Sequence, residues 1–199
     1  MFHISLATRQ TDYVRELVRS QNFGRRGRHD GDRFQQYLGL CGQVMIADLL
    51  GVPRPTGEDG GDGGVDGVLF GVTFDVKGTL MRRSPEPTYV GNFPEVQVSY
   101  ATDLLIFQRV GFQPQWTEVC LCGLIPKREF LERAELVPEG SQRGPAAYRH
   151  PGPHRELAYS EMVSPESPEE IADVLRAFAA LRDRGAVPTV ELIRRAMEP

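Results

Sequence analysis

The sequence predicts a single domain of the α/β (α+β) class: a mixed β-sheet flanked by helices, with a C-terminal helical cover. Three observations predict it. Residues 65–79, VDGVLFGVTFDVKGT, alternate apolar and polar on both sides of Gly71, the period of two half-buried strands. Residues 102–110 and 116–125 are apolar enough for central strands, and the few residues between them are too few for a parallel crossover, so they form an antiparallel hairpin. Residues 33–50 carry apolar stripes at helical spacing, and a later helix opens at Ser167-Pro168-Glu169-Glu170, with Ser at the N-cap, Pro at the first turn and Glu at the third position.

Whole-chain properties narrow the function. At 199 residues the chain is long enough to bury a real core, and 40% hydrophobic content with a net charge of −4 is that of an ordinary globular protein. It lacks a run of about 18 apolar residues, so no transmembrane helix and no membrane partner are expected. The start, MFHISLATRQ, has neither a basic region nor a long apolar core, and no secretory signal is expected. Three cysteines do not make a disulfide framework, which points to a reducing, cytoplasmic compartment. The acidity argues against a protein that coats nucleic acid through bulk charge, while leaving room for local phosphate-binding clusters. Basic residues are lopsided: 21 Arg against 2 Lys, Lys77 and Lys127. Against that bias a lysine at position 77 stands out.

In chain order, residues 11–21 read as a short helix on Val14, Leu17 and Val18. The polar loop FGRRGRHDGDR follows, with Arg25, Arg26, Arg28 and Arg33: either a solvated loop or a clamp on a phosphate backbone, since guanidinium groups match phosphate geometry. His29 reads as a surface residue. The helix over 33–50 is closed by Gly51, with Pro53 beyond it. Its apolar residues lie on two sides, which buries it against the sheet, and Gln43 sits among them. A polar side chain there needs a partner, either backbone or the acidic face of the following hairpin. Residues 53–64 form an acidic, glycine-rich connecting loop, in which Asp62 faces solvent or reaches the metal region.

The hairpin at 65–79 organises the rest. With Phe70-Gly71 as a two-residue turn, paired positions sum to 141 and Asp66 meets Asp75; a three-residue loop with Gly71 left-handed would keep the faces and slide the register. Lys77 points the same way as Asp75. Two acids and one amine on one side make either a divalent-cation site with a catalytic lysine or a polar sheet face. Arg82 and Arg83 follow at the start of an irregular excursion, close enough to the site for substrate contact. Past the 102–125 hairpin, Cys120 and Cys122 share a face and read as buried thiols. A helix is expected at 126–136, a loop at 138–155 with His150 and His154 as weak ligand candidates, a last strand at 157–162, and helices over 167–184 and after Thr189 that cover the sheet.

Laid out this way, the chain resembles the PD-(D/E)xK nuclease superfamily, which includes type II restriction enzymes, Holliday-junction resolvases, RecB-type exonucleases and small phage nucleases. The resemblance spans about residues 33–165. It rests on the helix GxxGQxxxADLLG (39–51), then Asp66, then Asp75-Val76-Lys77, with a weaker echo in GLIPKREFLERAELVP followed by LAYSEMVSP. It implies a restriction-endonuclease-like core and a DNA endonuclease acting on duplex or branched DNA. Asp66, Asp75 and the Val76 carbonyl would bind Mg²⁺, for which Mn²⁺ can substitute. Lys77 would orient the attacking water and offset transition-state charge. Arg25, Arg26, Arg28, Arg82 and Arg83 are the candidate DNA contacts.

The chain departs from the pattern in two places. Many members carry Glu where Gln43 stands, so the site holds one negative charge fewer, and one or two metals stay open; Gln43 is kept as a candidate catalytic residue. A short turn also replaces the helix that usually follows the third strand. Resolvase-like members act as two-fold dimers, which leaves a homodimer open. The alternatives are a nucleic-acid-binding protein on a decayed nuclease fold, and an interaction protein whose Asp-x-Lys is accidental.

Overall fold

A computed structural model of the chain describes residues 1–21, 32–57, 63–112, 117–142 and 152–198. Among these the elements run β1 (Phe2–Leu6), α1 (Thr8–Ser20), α2 (Arg33–Leu50), β2 (Gly67–Leu69), β3 (Val72–Leu80), β4 (Val90–Pro94), β5 (Leu104–Phe112), β6 (Thr117–Pro126), α3 (Lys127–Arg133), β7 (Glu135–Val137), β8 (His154–Ala158), α4 (Pro168–Asp183) and α5 (Val190–Met197). The class is mixed α/β, as expected. No helix among the described residues is long and apolar enough to cross a membrane.

Two sheets form. The larger has the order β1-β6-β5-β3-β2, the smaller β4-β8-β7. β5 and β6 are an antiparallel hairpin, whereas β3 and β5 run parallel, Phe74 beside Leu104 and Lys77 beside Phe107. Parallel neighbours need a crossover. Here residues 81–103 supply it, and they are more ordered than an irregular excursion: they contain β4 and a 3-10 turn over Glu95–Gln97. The crossover thereby lays the second sheet over one face of the first.

The two faces of β3 are settled by what touches them. A Cβ added at Gly78 would meet the Leu38 carbonyl and the Gly39 Cα, so α2 crosses the face shared by Val72, Phe74, Val76 and Gly78. Those three apolar side chains are buried. Asp75 and Lys77 point the other way, where the Lys77 ammonium lies 5.4 Å from the centre of the Phe93 ring on β4.

α2 keeps its expected limits because both ends are chemically marked. Asp32 accepts from the Gln35 N–H at 2.8 Å while Gln35 accepts from the Asp32 N–H at 3.1 Å, a reciprocal cap. Gly51 turns left-handed at φ 66 and ends the helix. α4 opens on Ser167, whose hydroxyl accepts from the Glu170 N–H, and α5 on Thr189, as expected.

Long-range pairing decides where the structure differs from the sequence reading. Phe2–Leu6 is a strand because it pairs with β6 more than a hundred residues away, Phe2 against Leu121. The helix expected over 126–136 stops at Arg133, since Glu135–Val137 pairs with β8 instead. The last strand is His154–Ala158, and a 3-10 turn occupies Tyr159–Glu161.

Candidate functional site

The hairpin closes on the two-residue turn. Phe70 (φ 53) and Gly71 (φ 70) both have positive φ, and the register Leu69–Val72, Val68–Thr73, Gly67–Phe74 sums to 141. Positive φ is unfavourable for a bulky residue such as Phe70, and α4 holds the turn. The Arg176 guanidinium stands 4.8 Å from the Phe70 ring centre, and Arg182 donates to the Gly71 carbonyl at 3.0 Å.

The ladder breaks at Asp66. Gly67 is the partner of Phe74, yet the Asp66 N–H also bonds the Phe74 carbonyl, at 2.9 Å. Two residues opposing one is a bulge, and a bulge re-aims the side chain it carries. The Asp66 carboxylate therefore reaches β3 at its edge: one oxygen accepts from the Val76 N–H at 2.6 Å, the other from the Gln43 side-chain amide at 2.7 Å. In an extended strand a residue's N–H and C=O point to the same side, so the Val76 carbonyl is directed to the edge that Asp66 occupies. Gln43 has found its partner on the acidic hairpin. The proton-bearing nitrogen faces Asp66, which makes Gln43 a residue that positions a carboxylate.

Asp75 has a different environment. It is 2% exposed, and Lys77 pairs with it at 2.7 Å. The lysine side chain keeps 17% of its surface and is the member of the pair that reaches the outside. The polar side of the hairpin is thus partly roofed by β4, and Lys77 does not sit between the two acids: it neutralises one, while Gln43 and a backbone N–H hold the other.

A second lysine joins them. Lys127, at the start of α3, is buried; it donates to the Gln97 carbonyl at 3.3 Å and to the Tyr100 carbonyl. Its ammonium lies 5.5 Å from the Phe93 ring centre, opposite number to Lys77 on the same ring. Burial pushes its pKa below the ordinary lysine value; the field of Asp75 opposes that shift and Lys77 adds to it. Both lysines of an arginine-rich chain therefore converge on Asp75 and Phe93. The sequence carried the signal in the count of two, which singles out Lys127 as much as Lys77.

In comparisons with known proteins, the chain matches no family model, no curated protein and no solved structure.

The other candidates are placed as follows. Arg82 and Arg83 are exposed just past the end of β3. Arg25, Arg26, Arg28, His29, Asp62 and His150 lie outside the described residues. His154 pairs with Glu156 at 2.9 Å in the second sheet. Cys120 and Cys122 are buried thiols, the second donating to the Cys120 carbonyl at 3.4 Å. Among the described residues no group of three or more His, Cys, Asp or Glu side chains gathers. The oxygen groups along the hairpin are the Asp66 carboxylate at the β3 edge, the buried Asp75 carboxylate paired with Lys77, and the Val76 carbonyl, all hard donors of the type that Mg²⁺ accepts.

Proposed function

We propose that this chain is a metal-dependent DNA nuclease of the PD-(D/E)xK kind, with a restriction-endonuclease-like core, acting through Asp66, Asp75 and Lys77. The observation that carries the reading is the re-aiming of Asp66 by a bulge onto the edge of β3 at Val76, beside the strand that bears Asp75 and Lys77. A bulge and a helix-borne amide both spent on aiming one carboxylate favour a site over an accidental polar face.

In this reading Asp66, Asp75 and the Val76 carbonyl would hold one Mg²⁺. When bound, it supplies Lewis-acid polarisation of a phosphoryl oxygen and a more acidic water. Asp66 is kept aimed by Gln43 and the Val76 N–H. Lys77 exchanges its ion pair with Asp75 for a phosphate oxygen of the substrate and offsets the charge that grows there. Lys127 holds the 97–100 turn against the back of Asp75 and keeps the buried carboxylate in a positive field. Gln43 in place of a third carboxylate favours one metal over two.

The test is cleavage of plasmid and branched DNA with Mg²⁺ or Mn²⁺ by the wild type, Asp75→Asn and Lys77→Ala. Metal-dependent cutting that falls by at least about 10²-fold in both variants is expected. DNA bound without cutting would move the chain to the decayed-nuclease alternative, and neither activity would end both.

A further inference from the structure

Three aromatic rings gather on the surface where β5 ends against the first turns of α2. Phe34 and Phe112 have centroids 5.6 Å apart, and Tyr37 stands 5.8 Å from Phe112. Phe34 is 48% exposed and Phe112 40% exposed, so two large aromatic side chains reach solvent. Neither is needed for the core: the buried faces of α2 and β5 are supplied by Leu38, Cys41, Met45, Leu105 and Phe107.

Positive charge borders the rings. Arg33 precedes Phe34 and is exposed; Arg82 and Arg83, also exposed, follow Met81, whose N–H bonds the Val110 carbonyl and whose side chain packs at Gly111, next to Phe112. The acid beside them, Asp32, is committed to capping α2. Exposed aromatic faces with guanidinium groups at their rim are complementary to unpaired bases and their phosphates. A rim of like charges is poorly suited to a second copy of the same surface.

The patch also stands at a fixed distance from the edge of β3 that Asp66 occupies, measured along α2 to Gln43. Along α2, Phe34 precedes Gln43 by nine residues, about 13 Å of helix. A stacked nucleotide strand advances about 3.4 Å per residue, so the span corresponds to about four nucleotides.

We propose that Phe34, Phe112 and Tyr37 form a stacking platform for unpaired bases, about four nucleotides from a phosphate held at the β3 edge where Gln43 aims Asp66. The inference deepens the nuclease reading and rests on it for the position of that phosphate: the substrate class is DNA with a single-stranded arm, a fork or flap, in preference to blunt duplex. The platform takes bases irrespective of sequence, because every base has a π-face.

The test is fluorescence anisotropy of the full chain in EDTA with three labelled probes of one sequence: a single strand, a fork and a blunt duplex. Wild type is compared with Phe34→Leu/Phe112→Leu, which keeps apolar bulk at two exposed positions, and thermal melts of both proteins establish that the fold is kept. The expected result is tighter binding of the fork and the single strand than of the duplex. The double variant then loses about tenfold on those two probes alone. Equal affinity for all three probes, unchanged in the variant, overturns the platform. So does a size-exclusion dimer that the substitutions convert to monomer, since the patch is then a self-interface. Metal-dependent duplex cutting with no platform effect leaves the nuclease reading standing; single strands held at the rings without any cutting leave the platform and remove the nuclease.

Discussion

Gln43 of α2 donates its side-chain amide to one oxygen of Asp66 at 2.7 Å, while the other oxygen accepts from the Val76 N–H at 2.6 Å. A carboxylate at the end of a three-residue strand is thereby fixed by a helix on one side and a neighbouring strand on the other. The arrangement needs a donor at position 43. Gln43→Glu is expected to set two carboxylates against each other and to cost about 1–3 kcal/mol without metal. It also adds the third charge that the resemblance expects on the helix, so Mg²⁺ should raise the melting temperature of the variant more than that of wild type. Melts in EDTA and in Mg²⁺ check both signs; a variant no more metal-responsive than wild type would place position 43 outside any metal's reach.

The pair Asp75–Lys77 makes a sharper stability test, because only one of its members reaches solvent. Lys77→Met strands a buried carboxylate, a change that costs about 3–5 kcal/mol. Asp75→Asn removes the charge that needed compensation. The double variant is expected to recover most of the loss, and urea melts of the four proteins give the coupling directly. Additive losses would mean that Lys127, and not Lys77, is the counter-charge of Asp75.

Much of this frame was legible in the residues. α2 could be bounded because Gly51 and the stripes mark its face and its end. The register at Leu69–Val72 followed from counting back from Gly71. Pairings with distant partners were not legible: β1 alternates at Phe2, Ile4 and Leu6, but five residues acquire strand identity only from β6. Residues 134–136 continue a helical pattern and yield to β8. Burial of Asp75 was hidden for the same reason, since the residues that roof it come from the crossover. Lys127 was visible as one of two lysines, but nothing local ties position 127 to position 75.

The packing of α2 on β3 and β5 turns on a glycine. A Cβ at Gly42 would fall on the side-chain amide of Gln108, a buried group whose nitrogen and oxygen both lack a partner among the described residues. Gly42→Ala is expected to destabilise by about 1–3 kcal/mol through overpacking. Gln108→Ala makes the room, so adding it to Gly42→Ala should raise the melting temperature above that of the Gly42→Ala protein. A double variant less stable than Gly42→Ala would show that helix and sheet separate to admit the methyl group.

All three cysteines are buried. Burial pushes the Cys41 thiol up to about 12; the hydrogen bond between Cys120 and Cys122, with burial second, raises Cys122, while the same bond lowers Cys120, which is protected by being fully buried. Thiolates are the reactive form, so a disulfide reagent at pH 8 is expected to label none of the three in the native protein and all three in denaturant. Fast labelling of one cysteine in the folded state would reveal local opening of the sheet at β6 or of α2.

Asp48 joins three segments: it accepts from Arg54 Nε and Nη2, both at 2.6 Å, and from Gln10 at 2.6 Å. The Arg54 hydrogen bonds lower its pKa from the ordinary 3.8, against a smaller opposing effect of burial. A carboxyl whose folded pKa is depressed stabilises the fold at pH above its unfolded value, and that contribution is lost as pH falls through the folded value. The pair is partly solvated, so Asp48→Asn is expected to cost only about 1 kcal/mol at neutral pH, and less in high salt. Denaturant titrations of wild type and variant should therefore separate at neutral pH and converge in acid, as pH falls through the lowered folded pKa of Asp48. A gap that persists in acid would assign the loss to the geometry of the hydrogen bonds and not to the charge on Asp48.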